Sequence, residues 1–320
     1  MICKKSLVAS ALTAFTWHAA LAAEGATYGG PIGGTDIRNA YISPVPGFYA
    51  GFADVPGVFT QLNGANGGKI PNARFNLVTN TNVLGVAYVY PFQLLGGRIQ
   101  TDAQFGYLDY ARFSAFNRTT RISGWTDSYW DLLKWGKYLG TAAAPGPGRA
   151  PLPYGLAIGT AYSMSFPIGQ YQPQKPLRPG SNDFFIMPSV IATYLTQPNI
   201  IGDGVELDGR LFYNHALEND YNHYRTGDII NLDYAVAERN GRWTFGLAGY
   251  VATQIGRDTE SGFTVPVRGK YFVAAKLGPI VAYDIPQLGI QFKLKLGEPL
   301  YIKNTVSGPS GVLSVGFKLP

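Results

Sequence analysis

The chain has 320 residues, of which 46% are hydrophobic and only 14% are charged, with a formal net charge of +6. Soluble domains carry roughly 25% charged residues, which disfavours an ordinary soluble protein. Yet no window after residue 23 holds the 18 or so consecutive apolar residues of a membrane-spanning helix, and no basic run of the kind that binds nucleic acid is present, which excludes a nucleic-acid partner.

Residues 1–23 have the features of a secretory signal peptide. Lys4 and Lys5 form a positive region, residues 6–21 are apolar, and Ala20-Leu21-Ala22 fits the small-x-small cleavage pattern. A membrane anchor is the alternative, but the apolar run of about sixteen residues is shorter than the roughly 20 needed to span. Cleavage removes the single cysteine, Cys3, so we expect no disulfide and no Cys-bound metal in the mature chain.

Residues 24–46, here called the N-terminal segment, are rich in Gly and Pro and predict no regular secondary structure. One interpretation is a free tail. The other is a plug that folds into the mouth of a barrel formed by residues 47–320, in which case deleting residues 27–42 should widen the pore.

Alternation of apolar with polar or small residues predicts about twelve strands after residue 46. They are expected near residues 47–54, 74–90, 97–113, 122–138, 154–168, 184–196, 204–215, 226–237, 242–254, 270–285, 288–297 and 311–320. In the strand near 204–215, Leu207 and Leu211 alternate with Glu206, Asp208 and Arg210. The last ten residues alternate in the same way, so the chain is expected to finish on a strand.

An even number of strands, with short and long connections in turn, is typical of a transmembrane antiparallel outer-membrane β-barrel. Both termini would then lie in the periplasm, and only the connection 139–153 would be long on that side. The alternative is a secreted β-sandwich. It is disfavoured because the outward positions are apolar on nearly every strand, where a sandwich would carry charge.

Several short motifs follow one another in a consistent order. They are Pro44-Val45-Pro46-Gly47-Phe48-Tyr49, Pro167-Ile168-Gly169-Gln170-Tyr171, Tyr213-Asn214 followed by Tyr224-Arg225-Thr226-Gly227-Asp228, Gly246-x-x-Gly249-Tyr250 with Gln254 and Asp258, and Gly278-Pro279 with Tyr283. Together they resemble a family of outer-membrane proteins associated with the meta pathway of phenol degradation, which are regarded as barrel transporters. The resemblance implies uptake of hydrophobic or aromatic compounds. The chain departs from the family pattern near 117–121 and 141–153.

Polar residues on the inward faces are candidates for lining a pore. They are Glu206, Asp208, Arg210, Asn231, Asp233, Tyr250, Lys276, Gln291, Lys293 and Lys295. The alternative is that opposite charges pair across the lumen and hold the wall together. Three lysines on one wall, Lys276, Lys293 and Lys295, would favour anions, so aromatic carboxylates or sulfonates would suit the pore better than neutral phenols.

Catalysis finds little support in the sequence. His215 and His223 are the histidines left after cleavage, and their spacing fits no standard metal-ligand or nucleophile motif. We therefore predict no catalytic residue, no metal and no cofactor. The rival functions are a barrel enzyme acting on lipid, which needs a convergent Ser-His-acid set, and a structural barrel.

The sequence thus predicts a passive outer-membrane channel for small aromatic or hydrophobic compounds. Its expected partners are that small-molecule substrate, outer-membrane lipid and an inner-membrane transporter that receives the cargo.

Overall fold

A computed structural model describes residues 32–71, 73, 75–115, 118–142, 153–173, 178–264 and 271–319. The predicted signal peptide lies outside the described residues. Twelve strands form the wall: β1 (Gly47–Phe59), β2 (Phe75–Leu94), β3 (Gly97–Ala115), β4 (Ser128–Tyr138), β5 (Pro153–Phe166), β6 (Phe185–Leu195), β7 (Gly204–Ala216), β8 (Ile229–Asn240), β9 (Trp243–Gln254), β10 (Val273–Ile285), β11 (Ile290–Lys303) and β12 (Ser310–Lys318). Seven shorter strands are Gln61–Leu62, Arg118–Trp125, Thr141–Ala142, Tyr224–Arg225, Thr259–Glu260, Phe263–Thr264 and Val306–Ser307.

The wall is a closed antiparallel barrel. Each strand pairs with the next along the chain, and β1 pairs with β2 on one edge and with β12 on the other, so that Ala53 lies opposite both Val83 and Ser314. Closure leaves no free sheet edge, and a sheet can span a lipid bilayer only when all its backbone polar groups are paired in this way. The predicted twelve-stranded β-barrel is confirmed.

The two faces of the wall separate as the alternation predicts. On β7, Leu207 and Leu211 are each 44% exposed on the outside, whereas Glu206 is 0% and Arg210 is 2% exposed on the inside. On β9, Leu247 is 50% exposed and its neighbour Ala248 is 1% exposed. The outer surface is therefore apolar strand after strand, which suits contact with lipid.

The predicted strand 122–138 is in fact two strands, Arg118–Trp125 and β4, with a break at Thr126 and Asp127. The carboxylate of Asp127 accepts hydrogen bonds from the backbone N–H of Gly169 at 3.0 Å and of Ser181 at 2.7 Å. This contact fastens the break to the loop between β5 and β6. Sequence alternation alone carries no sign of such a contact.

Other strand boundaries also differ from prediction by a few residues, such as the end of β1 at Phe59 where residue 54 was expected. The strand predicted to begin at residue 226 begins at Ile229, because the backbone N–H of Gly227 donates at 2.8 Å to Asp258 in the next loop. The strand predicted to stop at 297 continues to Lys303. That extension shortens the following connection to residues 304–309.

The two ends of the barrel differ in their connections. One end, here called the short-turn end, carries the start of β1, the end of β12 and tight turns such as Gly241-Arg242; the opposite end is called the long-loop end. The long connection after β4 lies at the short-turn end, where Thr141–Ala142 pairs with the start of β5, and residues 143–152 lie outside the described part. No helix in the described part of the chain is long and apolar enough to cross a membrane.

Two loops at the long-loop end are bound together around Asp258. Its carboxylate accepts hydrogen bonds from Tyr224 Oη at 2.6 Å, Gln254 Nε2 at 2.5 Å and the Gly227 N–H. Burial raises the pKa of Asp258. Tyr224–Arg225 also pairs with Thr259–Glu260, so the side chains and the backbone connect the same two loops.

Candidate functional site

The described part of the N-terminal segment lies inside the barrel. Ile32 packs against a buried cluster that includes Ile229 and Phe272, near the long-loop end. Tyr41 donates from its hydroxyl to the carbonyl of Pro153, at the start of β5 and thus at the short-turn end. The segment therefore follows the lumen from one end towards the other before the chain enters β1.

Wall carboxylates hold the backbone of the segment. Asp233 accepts hydrogen bonds from the N–H groups of Gly33 at 2.9 Å and Thr35 at 3.0 Å. Glu206 accepts one from the N–H of Arg38 at 2.7 Å. Buried N–H groups outside regular structure need acceptors, and here the inner wall supplies them.

Asp208 continues this pattern, since one of its carboxylate oxygens accepts from the N–H of Asn39 at 3.1 Å. The same oxygen accepts from the hydroxyl of Thr193 at 2.5 Å, and that hydroxyl oxygen lies 3.1 Å from the N–H of Ala40. Three successive wall strands, β6, β7 and β8, thus contribute acceptors to a single stretch of backbone.

The segment carries two charged side chains among its described residues, and both pair with the wall. Asp36 is 2% exposed, and its carboxylate lies 2.6 Å from Lys293 Nζ and 3.0 Å from Lys295 Nζ. Arg38 donates two hydrogen bonds to Asp284, at 2.9 and 2.7 Å. Each of these two described charges therefore has an opposite charge on β10 or β11.

Tyr250 contacts the segment at Gly33. A Cβ placed on Gly33 would lie 2.5 Å from Tyr250 Cδ1, and the φ of Gly33 is +72°, so both space and backbone conformation require glycine. Lys295 also donates to the carbonyl of Gly33 at 2.7 Å. Residues 33–36 therefore cover a patch of wall made of one aromatic ring and two ammonium groups, here called the lysine–tyrosine patch (Tyr250, Lys293 and Lys295).

Lys276 pairs in register with Tyr250, but its ammonium group has partners other than Asp36. Its ammonium donates to Ser310 Oγ at 2.9 Å and lies 5.0 Å from the ring centroid of Phe59. Lys295 pairs in register with Ile280, four positions along β10 from Lys276, which is about 13 Å at the rise of a strand. That is a separation of backbone positions, and both side chains are almost completely buried, where salt screens charges only weakly. The expected joint potential of the three lysines therefore stays a prediction.

A second charged cluster lies on the neighbouring part of the wall and does not involve the segment. Arg210 pairs with Asp131 at 2.8 Å and donates to Ser189 Oγ at 3.1 Å and Tyr129 Oη at 3.2 Å. These partners belong to β4 and β6. In this cluster, opposite charges of the wall pair with each other, which is the alternative that the sequence left open to a role of Arg210 in lining a pore.

The remaining sequence-predicted residues also lie on the inner side. Asn231 donates to Asp233 at 3.1 Å, Gln291 donates to Asp284 at 2.9 Å, and Glu206 pairs with Arg239.

The sequence analysis missed Asp36, Arg38, Asp131 and Asp284. Asp284 follows the inward alternation of β10. The only sign of Asp36 and Arg38 was that they are two opposite charges in a stretch otherwise rich in Gly and Pro.

The two histidines lie at the long-loop end. His215 Nδ1 is 2.9 Å from Asp228, which also accepts from Arg225, and His223 Nδ1 is 2.9 Å from Glu218. His223 is the more exposed, with 61% of its side chain accessible. Among the described residues, no three His, Cys, Asp or Glu side chains converge as a metal site would require.

Comparison with known proteins assigns the chain to a family. Residues 60–310 match the family described as "Putative MetA-pathway of phenol degradation". The chain belongs to this family. The match begins after the N-terminal segment, so the contacts of residues 32–46 are properties read from this chain alone. A search of curated proteins found no match.

Solved structures share the fold. The COG4313 outer membrane channel from Pseudomonas putida F1 aligns with a TM-score of 0.70 at 14% identity, covering 89% of this chain and 100% of that one. The translocator domain of the autotransporter NalP from Neisseria meningitidis aligns with a TM-score of 0.47 at 10% identity, covering 85% and 88%. The first similarity shows the same barrel fold, and the second is too low to support an argument.

Proposed function

We propose that this family member is an outer-membrane channel for passive uptake of small aromatic or hydrophobic compounds, including aromatic carboxylates and sulfonates. The observation that carries the proposal is the inner wall formed by β7–β11, whose charged side chains bind the N-terminal segment. Where the segment withdraws, those groups line a polar bore. Family membership and the shared fold of an outer membrane channel support the same conclusion.

The barrel size is consistent with a narrow path. About eight strands are filled by their own side chains, whereas 16 to 18 leave a water channel. Twelve strands lie between these limits. A bore of this size holds one segment without regular secondary structure, and it would pass one small molecule at a time in place of that segment.

The orientation follows from the connections of the wall. Outer-membrane barrels have short periplasmic turns and long extracellular loops, so the short-turn end would face the periplasm. The apolar exposed side chains, such as Leu207, Leu247 and Leu294, would contact lipid. An inner-membrane transporter would then take the cargo from the periplasm.

Liposome swelling tests this function. Liposomes containing the full mature chain should swell faster in isosmotic benzyl alcohol or sodium benzoate than in a disaccharide of larger size. Empty liposomes give the rate at which each solute crosses the lipid itself, and this rate is subtracted. The difference is the rate that depends on the protein. Swelling rates that equal those of empty liposomes for every solute, for wild type and for a variant lacking residues 32–42, would contradict a channel and favour a structural barrel.

A further inference from the structure

Asp36 binds to the wall as a small carboxylic acid would. Its two oxygens are shared between two ammonium groups, Oδ1 with Lys293 at 2.6 Å and Oδ2 with Lys295 at 3.0 Å. The group is almost completely buried, at 2% exposure. Charge-assisted hydrogen bonds of this kind are stronger than neutral ones, and any free carboxylate or sulfonate has oxygens spaced to make them.

The surface beside the two lysines suits a ring. Tyr250 is half-buried, and Gly33, whose carbonyl also accepts from Lys295, lies so close to its ring that a side chain would not fit between them. Withdrawal of residues 33–36 would expose an aromatic face next to two cations. Aromatic rings stack on such a face, while the anion of the same molecule would reach the ammonium groups.

The lysines need an anion whichever group supplies it. Lys293 and Lys295 lie two residues apart on the same inward face of β11. Removing one partner of a buried ion pair leaves an uncompensated charge, which is strongly unfavourable. Asp233, the nearby wall carboxylate, already accepts hydrogen bonds from Gly33, Thr35 and Asn231, so in this structure the counter-ion of the lysines comes from the segment.

Resting on the function proposed above, we propose that the lysine–tyrosine patch is a binding site for an aromatic carboxylate or sulfonate, and that Asp36 occupies it as an internal competitor. An incoming acid takes the place of Asp36, its ring lies on Tyr250, and the segment loses its ion pair on β11. A neutral phenol cannot make this exchange because it brings no negative charge to replace that of Asp36.

Because Asp36 is tethered to the barrel by the chain, it competes strongly with any free acid for the two lysines. A group held by a short chain has an effective concentration in the millimolar range, so a free acid must compete with that concentration in the wild-type chain. The Asp36→Asn substitution keeps the size of the side chain and removes its charge. Benzoate should then bind at least about tenfold more tightly than to wild type.

Calorimetric titration of the full mature chain in detergent tests the site with four probes. Benzoate and benzenesulfonate carry both a ring and a charge, benzyl alcohol carries only the ring, and acetate carries only the charge. In the Asp36→Asn background, the two acids should bind at least tenfold more tightly than either control probe. Adding Lys293→Gln and Lys295→Gln should weaken benzoate binding at least tenfold and leave benzyl alcohol binding unchanged.

A chain lacking residues 32–42 provides a second variant that does not depend on Asp36→Asn folding correctly. It should bind benzoate at least as tightly as that variant, because Asp36→Asn keeps the backbone contacts of Gly33 with the patch. The site would be refuted if benzoate bound either variant no more tightly than wild type, or if the double glutamine variant bound benzoate equally well. Normal liposome swelling with either of these results would reject the site and keep the channel. No swelling for any solute would reject the channel itself.

Discussion

Two clusters of charged side chains lie on the inner wall and have different partners. Around Arg210, the partners Asp131, Ser189 and Tyr129 all belong to wall strands. Around Lys293 and Lys295, the partner is Asp36 of the N-terminal segment. The first cluster is complete without the segment, whereas the second is not. The first should therefore contribute to the stability of the barrel, and the second to whether its bore is occupied.

The largest effect should follow from breaking the self-contained cluster. Arg210→Met keeps an unbranched aliphatic chain but removes the guanidinium group, which leaves the carboxylate of Asp131, 2% exposed, without its ion-pair partner. Removing one partner of a buried pair costs about 3–5 kcal/mol. Denaturant unfolding of the barrel in lipid measures this loss.

The matched control is Arg242→Met, because Arg242 is exposed in a short turn, where a substitution usually changes stability by less than about 0.5 kcal/mol. Equal stability of the two variants would contradict the structural role given to the Arg210 cluster.

A smaller effect is expected on the outside of the wall. Leu247 is 50% exposed on the outer face of β9, and an arginine facing lipid near the midplane costs about 2–4 kcal/mol. Leu247→Arg should therefore lower the fraction of chain that shows heat-modifiable migration after refolding, whereas Leu247→Ile should not. If Leu247→Arg folded normally while Ala248→Arg abolished folding, the assignment of inner and outer faces would be reversed.

The smallest effect concerns ion selectivity. In a chain lacking residues 32–42, Lys293 and Lys295 lose Asp36, so reversal potentials in a salt gradient should show anion preference, and Lys293→Glu with Lys295→Glu should shift it towards cations. Lys276→Glu is the matched control. Compared with Lys293→Glu alone, which changes the charge by the same two units, it should give a smaller shift, because Lys276 donates to Ser310 of the wall and has no ion pair with Asp36 to lose. Cation preference before the substitutions, or equal shifts in the two single variants, would contradict the separation of the two lysine sites.

Local pattern was enough to predict the wall but not the contacts across the lumen. Alternation placed Leu211 outside and Glu206 inside because a strand has a period of two. The break at Asp127 was missed because its cause is a hydrogen bond to Ser181, in a distant loop. Asp36 and Lys293 are 257 positions apart, and no periodicity connects a segment without regular structure to a strand. The role of Asp36 therefore became visible only in the folded chain.

The central claim is that the inner wall of β7–β11 binds the N-terminal segment and becomes a conducting path when the segment leaves. Single-channel recording in planar bilayers tests it by comparing the wild-type chain with one that lacks residues 32–42. The wall strands begin at Gly47, so the deletion should leave heat-modifiable folding intact. We predict a larger single-channel conductance for the shortened chain. Equal conductance of two correctly folded chains would contradict the claim.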